Sequence, residues 1–236
     1  VQTCALPISC EQIRTDVAYD NLNVRLMSIY SGVSGGISGA THWGIEDCGI
    51  IRSIPNITII EFSDVIQAEK LLEQTLNFQG AIYFRISCEA VARIYDEADN
   101  FVIGKAVKLQ DGSDGTYICA GVTVQYALEA AERIKESTGA RIGVIDMYTI
   151  KPLDRDAVID AAKTGHVIVA QDHNTEGGLG DAVARVIAEE KLLTNYKCMG
   201  IPDKFEVMAH PQFLYSKFGI DAEGLQREML HMLDKK

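Results

Sequence analysis

The chain has 236 residues, of which 47% are hydrophobic and 23% are charged, and its formal net charge at pH 7 is −11. This composition is ordinary for a globular protein with one large or two modest domains, and the negative charge argues against nucleic acids and anionic membrane surfaces as partners. No apolar run approaches the ~20 residues that a membrane helix needs, and no basic start leads into an apolar signal sequence. We therefore expect neither a membrane span nor a signal peptide.

The six cysteines are scattered along the chain, and no two of them form a C-x-x-C pair. This pattern predicts reduced thiols instead of a disulfide framework or a cysteine metal site. We therefore predict a cytoplasmic location and no metal site in this chain.

The first nine residues, VQTCALPIS, follow no helix or strand pattern that continues into the next segment. They look like the in-frame translation of a sequencing-adapter oligonucleotide. We therefore expect residues 1–9 not to be biological and the natural protein to begin further upstream. The alternative is a natural, irregular N-terminus.

From residue 10 onward, short apolar runs alternate with segments of helical periodicity, beginning with the end of a helix at 11–18. The alternation occurs twice, which predicts an α/β protein with two domains, each a mostly parallel sheet flanked by helices. The predicted strands are 22–30, 57–62, 81–86, 116–120, 142–147, 167–171 and 196–201. The predicted helices run from Thr41 to before Pro55, over 65–76 and 124–137, from Asp154 onward, and over 180–190 and 222–233. Ser63 and Asp64 are predicted to cap the helix at 65–76, Gly139 to end the helix at 124–137, and Asp154 to cap the helix that follows it.

Four glycines lie within eight residues directly after the first predicted strand, at positions 32, 35, 36 and 39. Such density indicates positive φ angles or a close approach of the backbone to another group. A loop between a strand and a helix of a parallel sheet lies at the carboxyl end of the strand, where ligands bind. A tight turn explains the pattern equally well, and His42, at the predicted helix start, can bond either a sugar hydroxyl or a backbone carbonyl.

Arg85 lies inside the apolar strand predicted at 81–86. A charge in such a position must be paired or must face a site. The residues themselves leave two interpretations open, which are an ion pair with a carboxylate such as Glu46 or Asp47 and the binding of an anionic ligand.

Three segments resemble the transketolase family. Residues 39–56, GATHWGIEDCGIIRSIPN, resemble the pattern G-x-[ST]-H-x-x-x-E-D-x-x-x-x-R-x-x-P-N of the pyrimidine-binding domain of thiamine-diphosphate enzymes. Residues 146–154, DMYTIKPLD, and 172–180, DHNTEGGLG, resemble signatures of the transketolase C-terminal domain. His173 and Glu176 of the last segment are too few ligands for a zinc site.

The resemblance implies a domain organisation. It comprises a partial pyrimidine-binding domain at 10–95, a linker at 96–112 and a transketolase C-terminal domain at 113–236. In the family the C-terminal domain lies outside the catalytic centre and is associated with dimer assembly or regulation.

The resemblance further implies the C-terminal subunit of a split transketolase, which transfers a two-carbon ketol unit between sugar phosphates in pentose phosphate metabolism. Its cofactors would be thiamine diphosphate and Mg²⁺. The G-D-G…N diphosphate motif and the catalytic glutamate segment of the family do not occur in this chain. We therefore expect the cofactor to be held mainly by an N-terminal partner subunit and by a segment upstream of residue 10, the enzyme to be an oligomer, and this chain alone to be inactive.

The resemblance also assigns roles to four residues. His42 would be catalytic, contacting the substrate and the oxygen of the reacting carbon, and Arg85 would bind the sugar phosphate, as a guanidinium fork suits a phosphate. Ser38 and Tyr30 stand where many transketolases carry an aspartate and a histidine that bind the substrate. The two replacements predict an altered sugar.

Two alternatives remain open. Deoxyxylulose-phosphate synthase and the β subunits of 2-oxoacid dehydrogenases share both domains, and Trp43, where transketolases usually carry glutamine, weakens the transketolase interpretation. A non-catalytic module that only completes an assembly, or regulates it, is the second alternative.

Overall fold

Two β-sheets, each covered by helices, make up the computed structural model, which describes residues 9–234. The strands are β1 (Arg25–Ile29), β2 (Ile57–Glu61), β3 (Ala81–Ile86), β4 (Val107–Gln110), β5 (Gly115–Cys119), β6 (Ile142–Asp146), β7 (Thr149–Lys151), β8 (His166–Asn174) and β9 (Asn195–Ile201). The α-helices are α1 (Asp47–Arg52), α2 (Val65–Gln74), α3 (Thr123–Thr138), α4 (Arg155–Ala162), α5 (Leu179–Glu189), α6 (Pro211–Phe218) and α7 (Ala222–Leu233).

The strand order is β1-β3-β2-β7 in the first sheet and β4-β6-β5-β8-β9 in the second. All neighbouring strands are parallel except the pairs β2–β7 and β4–β6. The predicted class, an α/β protein with two mostly parallel sheets, is confirmed. Residues 1–8, which form most of the segment predicted to derive from an adapter, lie outside the described residues.

Local capping sets several helix ends as predicted. Asp64 accepts the backbone N–H of Gln67 at 2.8 Å and begins α2, and Asp154 accepts that of Ala157 at 3.4 Å and begins α4. Gly139 ends α3 in the left-handed conformation, with φ of 77°. These side chains and this glycine satisfy or end the helical hydrogen-bond pattern by local chemistry alone, which explains why sequence indicated them.

The prediction of a helix that begins at Thr41 is wrong for the first half of that helix. Residues Gly36–Ser38 and Ala40–His42 form two 3₁₀ turns, separated by Gly39 with φ of 80°, and α1 begins only at Asp47. Trp43 is extended and Gly44 bonds back to the chain after β1, which leaves no room for a continuous helix.

Three elements differ from the predicted organisation because long-range pairing creates them. β4 lies inside the predicted linker 96–112 and pairs antiparallel with β6. Its residues alternate between apolar and polar and none is fully buried, so no apolar run marks it as a strand. β7 lies between β6 and β8 of the second sheet in sequence but pairs with β2 of the first sheet. β8 continues to Asn174, three residues beyond the end predicted at 171.

None of the helices between residues 9 and 234 has the length and apolar composition needed to span a bilayer. The cysteines of the same range, at positions 10, 48, 88, 119 and 198, are all free thiols.

Candidate functional site

Buried polar side chains gather where the carboxyl ends of the two sheets face each other. Glu61 ends β2 and is the register partner of Arg85 on the neighbouring strand β3. On the other side, the residues of β8 just before its last residue, Asn174, are Gln171, Asp172 and His173, and all three of these side chains are buried. Parallel strands of an α/β sheet present their binding residues at this end.

Arg85 is the centre of this cluster and is 0% exposed. Its Nε lies 2.7 Å from Asp47 Oδ2 and its Nη1 lies 2.6 Å from Glu61 Oε2. Its Nη2 also donates to the carbonyls of Gly44 at 2.9 Å and Asp172 at 3.1 Å. The guanidinium therefore joins the first sheet, the second sheet and the loop after β1.

This geometry favours the ion-pair interpretation of Arg85. A phosphate-binding arginine must present its guanidinium to a ligand, whereas this one is enclosed and engaged by two carboxylates and two carbonyls. The phosphate role predicted for Arg85 finds no support here, because a buried guanidinium needs these partners to offset its lost hydration.

The charges of the cluster follow from its burial. Burial alone would raise the pKa of Asp47, but the Arg85 guanidinium beside it holds that pKa below its ordinary value. Burial disfavours charge on Arg85 as well, yet Asp47 and Glu61 raise its pKa well above the ordinary value. Asp47 and Arg85 therefore form an ionised pair at neutral pH.

The residues at the end of β8 fasten the two sheets together. Gln171 donates to Glu61 Oε2 at 2.7 Å and accepts the N–H of Leu179 at 2.8 Å. His173 accepts the N–H of Cys48 through Nε2 at 3.2 Å and lies 2.7 Å from Asn174 O through Nδ1. Burial and the charge of Arg85 lower the pKa of His173 to about 4, so its imidazole is neutral.

Asp47, Cys48 and His173 bring potential metal ligands within 4.8 Å of one another. Two of the three are already engaged: Asp47 by Arg85, and His173 Nε2 by the backbone of Cys48. Burial also raises the pKa of the Cys48 thiol, which opposes the thiolate that a metal requires. The trio belongs to the hydrogen-bond network between the sheets. Glu176, the other potential ligand of the segment that carries His173, is exposed.

The glycine loop, residues 30–44 between β1 and α1, is closed at its base. The N–H of Gly32 donates to Gly44 O at 2.8 Å, and the N–H of Gly44 donates to Tyr30 O at 3.2 Å. Val33 and Trp43 turn inward and are 0% exposed. They pack with Ile45 and with residues of the second sheet's layer, namely Val122, Ile201, Leu214, Tyr215 and Ile220.

Three of the predicted site residues lie on this same loop. Ser38 is exposed, and His42 and Tyr30 are partly buried. His42 Nδ1 lies 3.0 Å from Thr41 Oγ1. No α-helix begins at His42, so the prediction that His42 lies at the start of a helix is wrong. Arg85 does not join the three at the surface but lies beneath the loop.

The motif residues at α1 serve contacts between the sheets. Arg52 donates to the carbonyls of Gly177 and Gly178, the latter at 2.9 Å. A Cβ on Gly177 would lie 2.7 Å from the Cα of Gly49, so the helix and this turn touch backbone to backbone. Glycine at 177, where φ is 78°, permits both the turn and the close approach.

Sequence reasoning missed the roles of Glu61 and Asp172. Both are polar residues at the end of otherwise apolar strands, and each is almost completely buried. For Glu61 the available signal was its position, a carboxylate directly after a β-branched run, whereas Asp172 follows Ala170 and Gln171. Such a position marks an inward-facing polar group but does not name its partner, which for Glu61 includes Gln171, 110 residues away in the chain.

Comparison with protein families gives two matches. Residues 6–93 match the family described as transketolase, pyrimidine binding domain, and residues 104–225 match transketolase, C-terminal domain. Together these ranges include the glycine loop, Arg85 and the end of β8.

Two curated relatives align along almost the whole chain. One subunit of apulose-4-phosphate transketolase from Phocaeicola vulgatus is 34% identical over 229 residues, which are 96% of this chain and 72% of that protein. The SqwH subunit of 6-deoxy-6-sulfo-D-fructose transketolase from a Clostridium species is 35% identical over 230 residues, which are 96% of this chain and 70% of that protein.

Solved structures share the arrangement of both sheets. One described as a split gene transketolase, inactive β4 tetramer, superimposes with a TM-score of 0.89 at 30% identity and covers 98% of this chain and 74% of that chain. Transketolase from Campylobacter jejuni shares the fold with a TM-score of 0.77 at 18% identity, over 96% of this chain and 34% of that chain.

Proposed function

Since this chain belongs to the transketolase family, as a C-terminal subunit of a split, thiamine-diphosphate-dependent transketolase, we propose that its glycine loop forms the substrate-facing wall of an active site shared with a partner. The reaction is the transfer of a two-carbon ketol unit between sugar phosphates. The partner is an N-terminal subunit, and the working enzyme is an oligomer of both.

The observation that carries this proposal is the two-sided construction of the glycine loop. Its inner side is fastened by the Arg85 guanidinium at Gly44 and by the buried ring of Trp43. Its outer side presents Ser38 and His42. A loop held in this way can keep polar groups at fixed positions before substrate arrives, which is the geometric requirement for orienting a reacting sugar.

The side chains of His42 and its neighbours can form hydrogen bonds with a sugar. An imidazole can donate to or accept from a hydroxyl or carbonyl oxygen, and the contact between His42 Nδ1 and Thr41 Oγ1 orients the ring. Ser38 and Tyr30 add hydroxyl groups. Arg85 contributes as an anchor of the loop and not as a phosphate ligand.

The residues present do not supply a complete cofactor site. Thiamine diphosphate needs a free carboxylate against its aminopyrimidine ring, yet each of the six buried carboxylates between residues 9 and 234 is already bonded within the chain. They are Asp47, Glu61, Asp64, Asp146, Asp154 and Asp172. We therefore assign the cofactor, its Mg²⁺ and its activating carboxylate mainly to the partner and to residues outside this range. The chain alone would then be inactive.

The substrate would differ from that of ordinary pentose-phosphate transketolases. Ser38 and Tyr30 replace the carboxylate and imidazole that the resemblance implies at these positions, so different hydroxyl groups would be recognised. The names of the relatives support this idea, because one is named for apulose 4-phosphate and the other for 6-deoxy-6-sulfo-D-fructose. A cytoplasmic location and a place in pentose phosphate metabolism remain predictions from the sequence.

The test is reconstitution. The chain, in its natural full length, is mixed with its N-terminal partner, thiamine diphosphate and Mg²⁺, and ketol transfer is followed across a panel of ketose donors. We expect activity only in the complex. We expect His42→Ala to lower kcat/KM at least about 100-fold, the scale of a lost catalytic hydrogen-bonding or proton-transfer group, without loss of complex formation. Ser137→Ala, at an exposed position in the last turn of α3, is the control.

Full activity of the chain without a partner, or of the complex with His42→Ala, would contradict the proposal. Release of carbon dioxide from pyruvate without ketol transfer would instead favour a synthase of the deoxyxylulose-phosphate type.

A further inference from the structure

Asp172 belongs to the second sheet but reaches into the glycine loop of the first. Its Oδ1 accepts the N–H of Val33 at 2.9 Å, and its Oδ2 accepts the hydroxyl of Tyr215 at 3.0 Å. The residue is 1% exposed. The carboxylate is therefore fixed by Tyr215 of α6 and in turn fixes the backbone of the glycine loop at Val33.

Gly32 makes this contact an interlock. A Cβ built on Gly32 would lie 1.9 Å from Asp172 Cγ and 2.1 Å from its Oδ1, far inside any real contact. Gly32 also has φ of 60°, where side chains are rarely tolerated. The carboxylate therefore occupies the space that a side chain at position 32 would need.

The backbone of the same residue reaches the other end of the loop through Arg85. Arg85 Nη2 donates both to Asp172 O at 3.1 Å and to Gly44 O at 2.9 Å. Asp172 is thus bonded directly to Val33 near the start of the loop. At the end of the loop it is linked to Gly44, because the carbonyls of both residues accept from the same Arg85 nitrogen. Among the hydrogen bonds of residues 9–234, no other residue of the second sheet both bonds the glycine loop directly and shares the Arg85 donor with Gly44.

We propose that Asp172 is a positioning residue for the reaction, setting the conformation of the glycine loop and hence the place of His42. This inference rests on the proposed function for its effect on catalysis, but not for its effect on the loop. The C-terminal domain would then help to shape the active site, in addition to any role in assembly. Asp172 itself need not touch the substrate.

The chain carries its own reporter for this proposal. Trp43 is its single tryptophan, lies on the glycine loop and is 0% exposed. In the full chain without cofactor or partner, we expect Asp172→Ala to shift the Trp43 emission to longer wavelength and to increase its quenching by acrylamide, because the loop loses its anchor and admits water.

Asp146→Ala is the matched control. Asp146 is equally buried at the end of β6 and bonds Ser63, Gln67 and Tyr95 but no residue of the glycine loop. We expect it to leave Trp43 emission and quenching unchanged in the folded protein, as verified by circular dichroism. Unchanged Trp43 fluorescence in Asp172→Ala, or an equal change in both variants, would overturn the proposal.

A second pair of variants tests the same contact if Asp172→Ala does not fold. Gly32→Ala pushes a methyl group into the Asp172 carboxylate, whereas Gly39→Ala, at φ of 80° in the same loop, meets only Met208 Cβ at 3.9 Å. Both place an alanine at positive φ, and at Gly39, where ψ is 172°, the backbone conformation is one that almost only glycine adopts. Only the first carries the clash. We expect greater quenching in Gly32→Ala, and equal quenching in the two would overturn the interlock.

Kinetics of the reconstituted complex complete the test. We expect Asp172→Ala to lower kcat by up to about 100-fold, the scale of a small misplacement of a catalytic group, with a smaller change in KM, while Asp146→Ala retains kcat. If the wild-type complex shows no ketol transfer, the proposed function fails while the fluorescence result on the loop still stands. If Trp43 responds but kcat does not, the positioning role is overturned.

Discussion

Two arginines of this chain each pair with two carboxylates, in opposite surroundings. Arg85 pairs with Asp47 and Glu61, and all three side chains are at most 3% exposed. Arg155 pairs with Glu189 at 2.8 Å and Glu190 at 2.6 Å, and these side chains are 41–44% exposed. The two clusters have similar distances and the same count of partners.

Burial gives the two clusters different consequences. Water screens the Arg155 pairs and can replace either partner, so they add little to stability. The Arg85 charge has no water to replace a lost partner, and its remaining donors hold Gly44 of the glycine loop and Asp172 of the second sheet. The buried cluster can therefore link the fold to the candidate site, which the exposed cluster cannot do.

The largest expected effect is that of breaking the buried cluster. We expect Arg85→Ala to lower the free energy of unfolding by about 3–5 kcal/mol, because Asp47 and Glu61 are left buried without their cation. Urea unfolding followed by circular dichroism measures this change. A loss below about 1 kcal/mol would show that burial does not separate the two arginines.

Asp146 is a buried carboxylate that has no cationic partner among residues 9–234, and it can be compared with the carboxylates paired to Arg85. Asp146 bonds only to neutral groups, namely Ser63 at 2.9 Å, Gln67 at 2.8 Å and Tyr95 at 2.6 Å, and burial raises its pKa to about 7. The folded state therefore binds a proton that the unfolded state has released between about pH 4 and 7. The contribution of Asp146 to stability is present at low pH and is lost as pH rises towards 7.

We expect Asp146→Asn to remove this dependence. The free energy of unfolding of the wild type should fall more steeply with pH than that of the variant, by up to about 1.4 kcal/mol per pH unit. Denaturant titrations at several pH values between about 4 and 8 measure both slopes. Asp156→Asn, at an 85% exposed carboxylate, should keep the wild-type slope. Parallel curves for wild type and Asp146→Asn would refute the assignment.

The smallest expected effect is that of breaking the exposed cluster. We expect Arg155→Ala to change the free energy of unfolding by less than about 1 kcal/mol, and the difference from wild type to shrink further with added salt. Unfolding in low and high salt checks both points. A loss as large as that of Arg85→Ala would remove the contrast between the buried and the exposed arginine.

Much of the fold was predictable because its signals are local. β3 was predicted with its observed bounds from an apolar run, and Asp64, Gly139 and Asp154 marked helix ends by their own chemistry. The resemblance of residues 39–56 and 146–154 to transketolase segments led to the family, which the comparisons support along both domains. The weak points were β4 and β7, short strands whose existence depends on a distant partner.

The candidate site was predictable only in part. Composition and motif singled out the glycine loop and placed His42, Ser38 and Tyr30 on it. The same reasoning weighed two roles for Arg85 and favoured phosphate binding, because the sequence does not show whether carboxylates enclose its guanidinium. Asp172 was recognised only as part of a motif, since its partners on the glycine loop and on α6 lie 139 and 43 residues away.

By itself, the sequence determined the alternation of strands and helices, the conformations that glycine must permit and the family to which the chain belongs. These properties follow from side-chain periodicity, backbone sterics and ordered motifs, all of which are local in the chain. Only the tertiary structure decided which charges are enclosed and which residues share a hydrogen bond. Burial and pairing are set when the ends of the two sheets meet, and that meeting turns Arg85 into an anchor and brings Asp172 against Gly32.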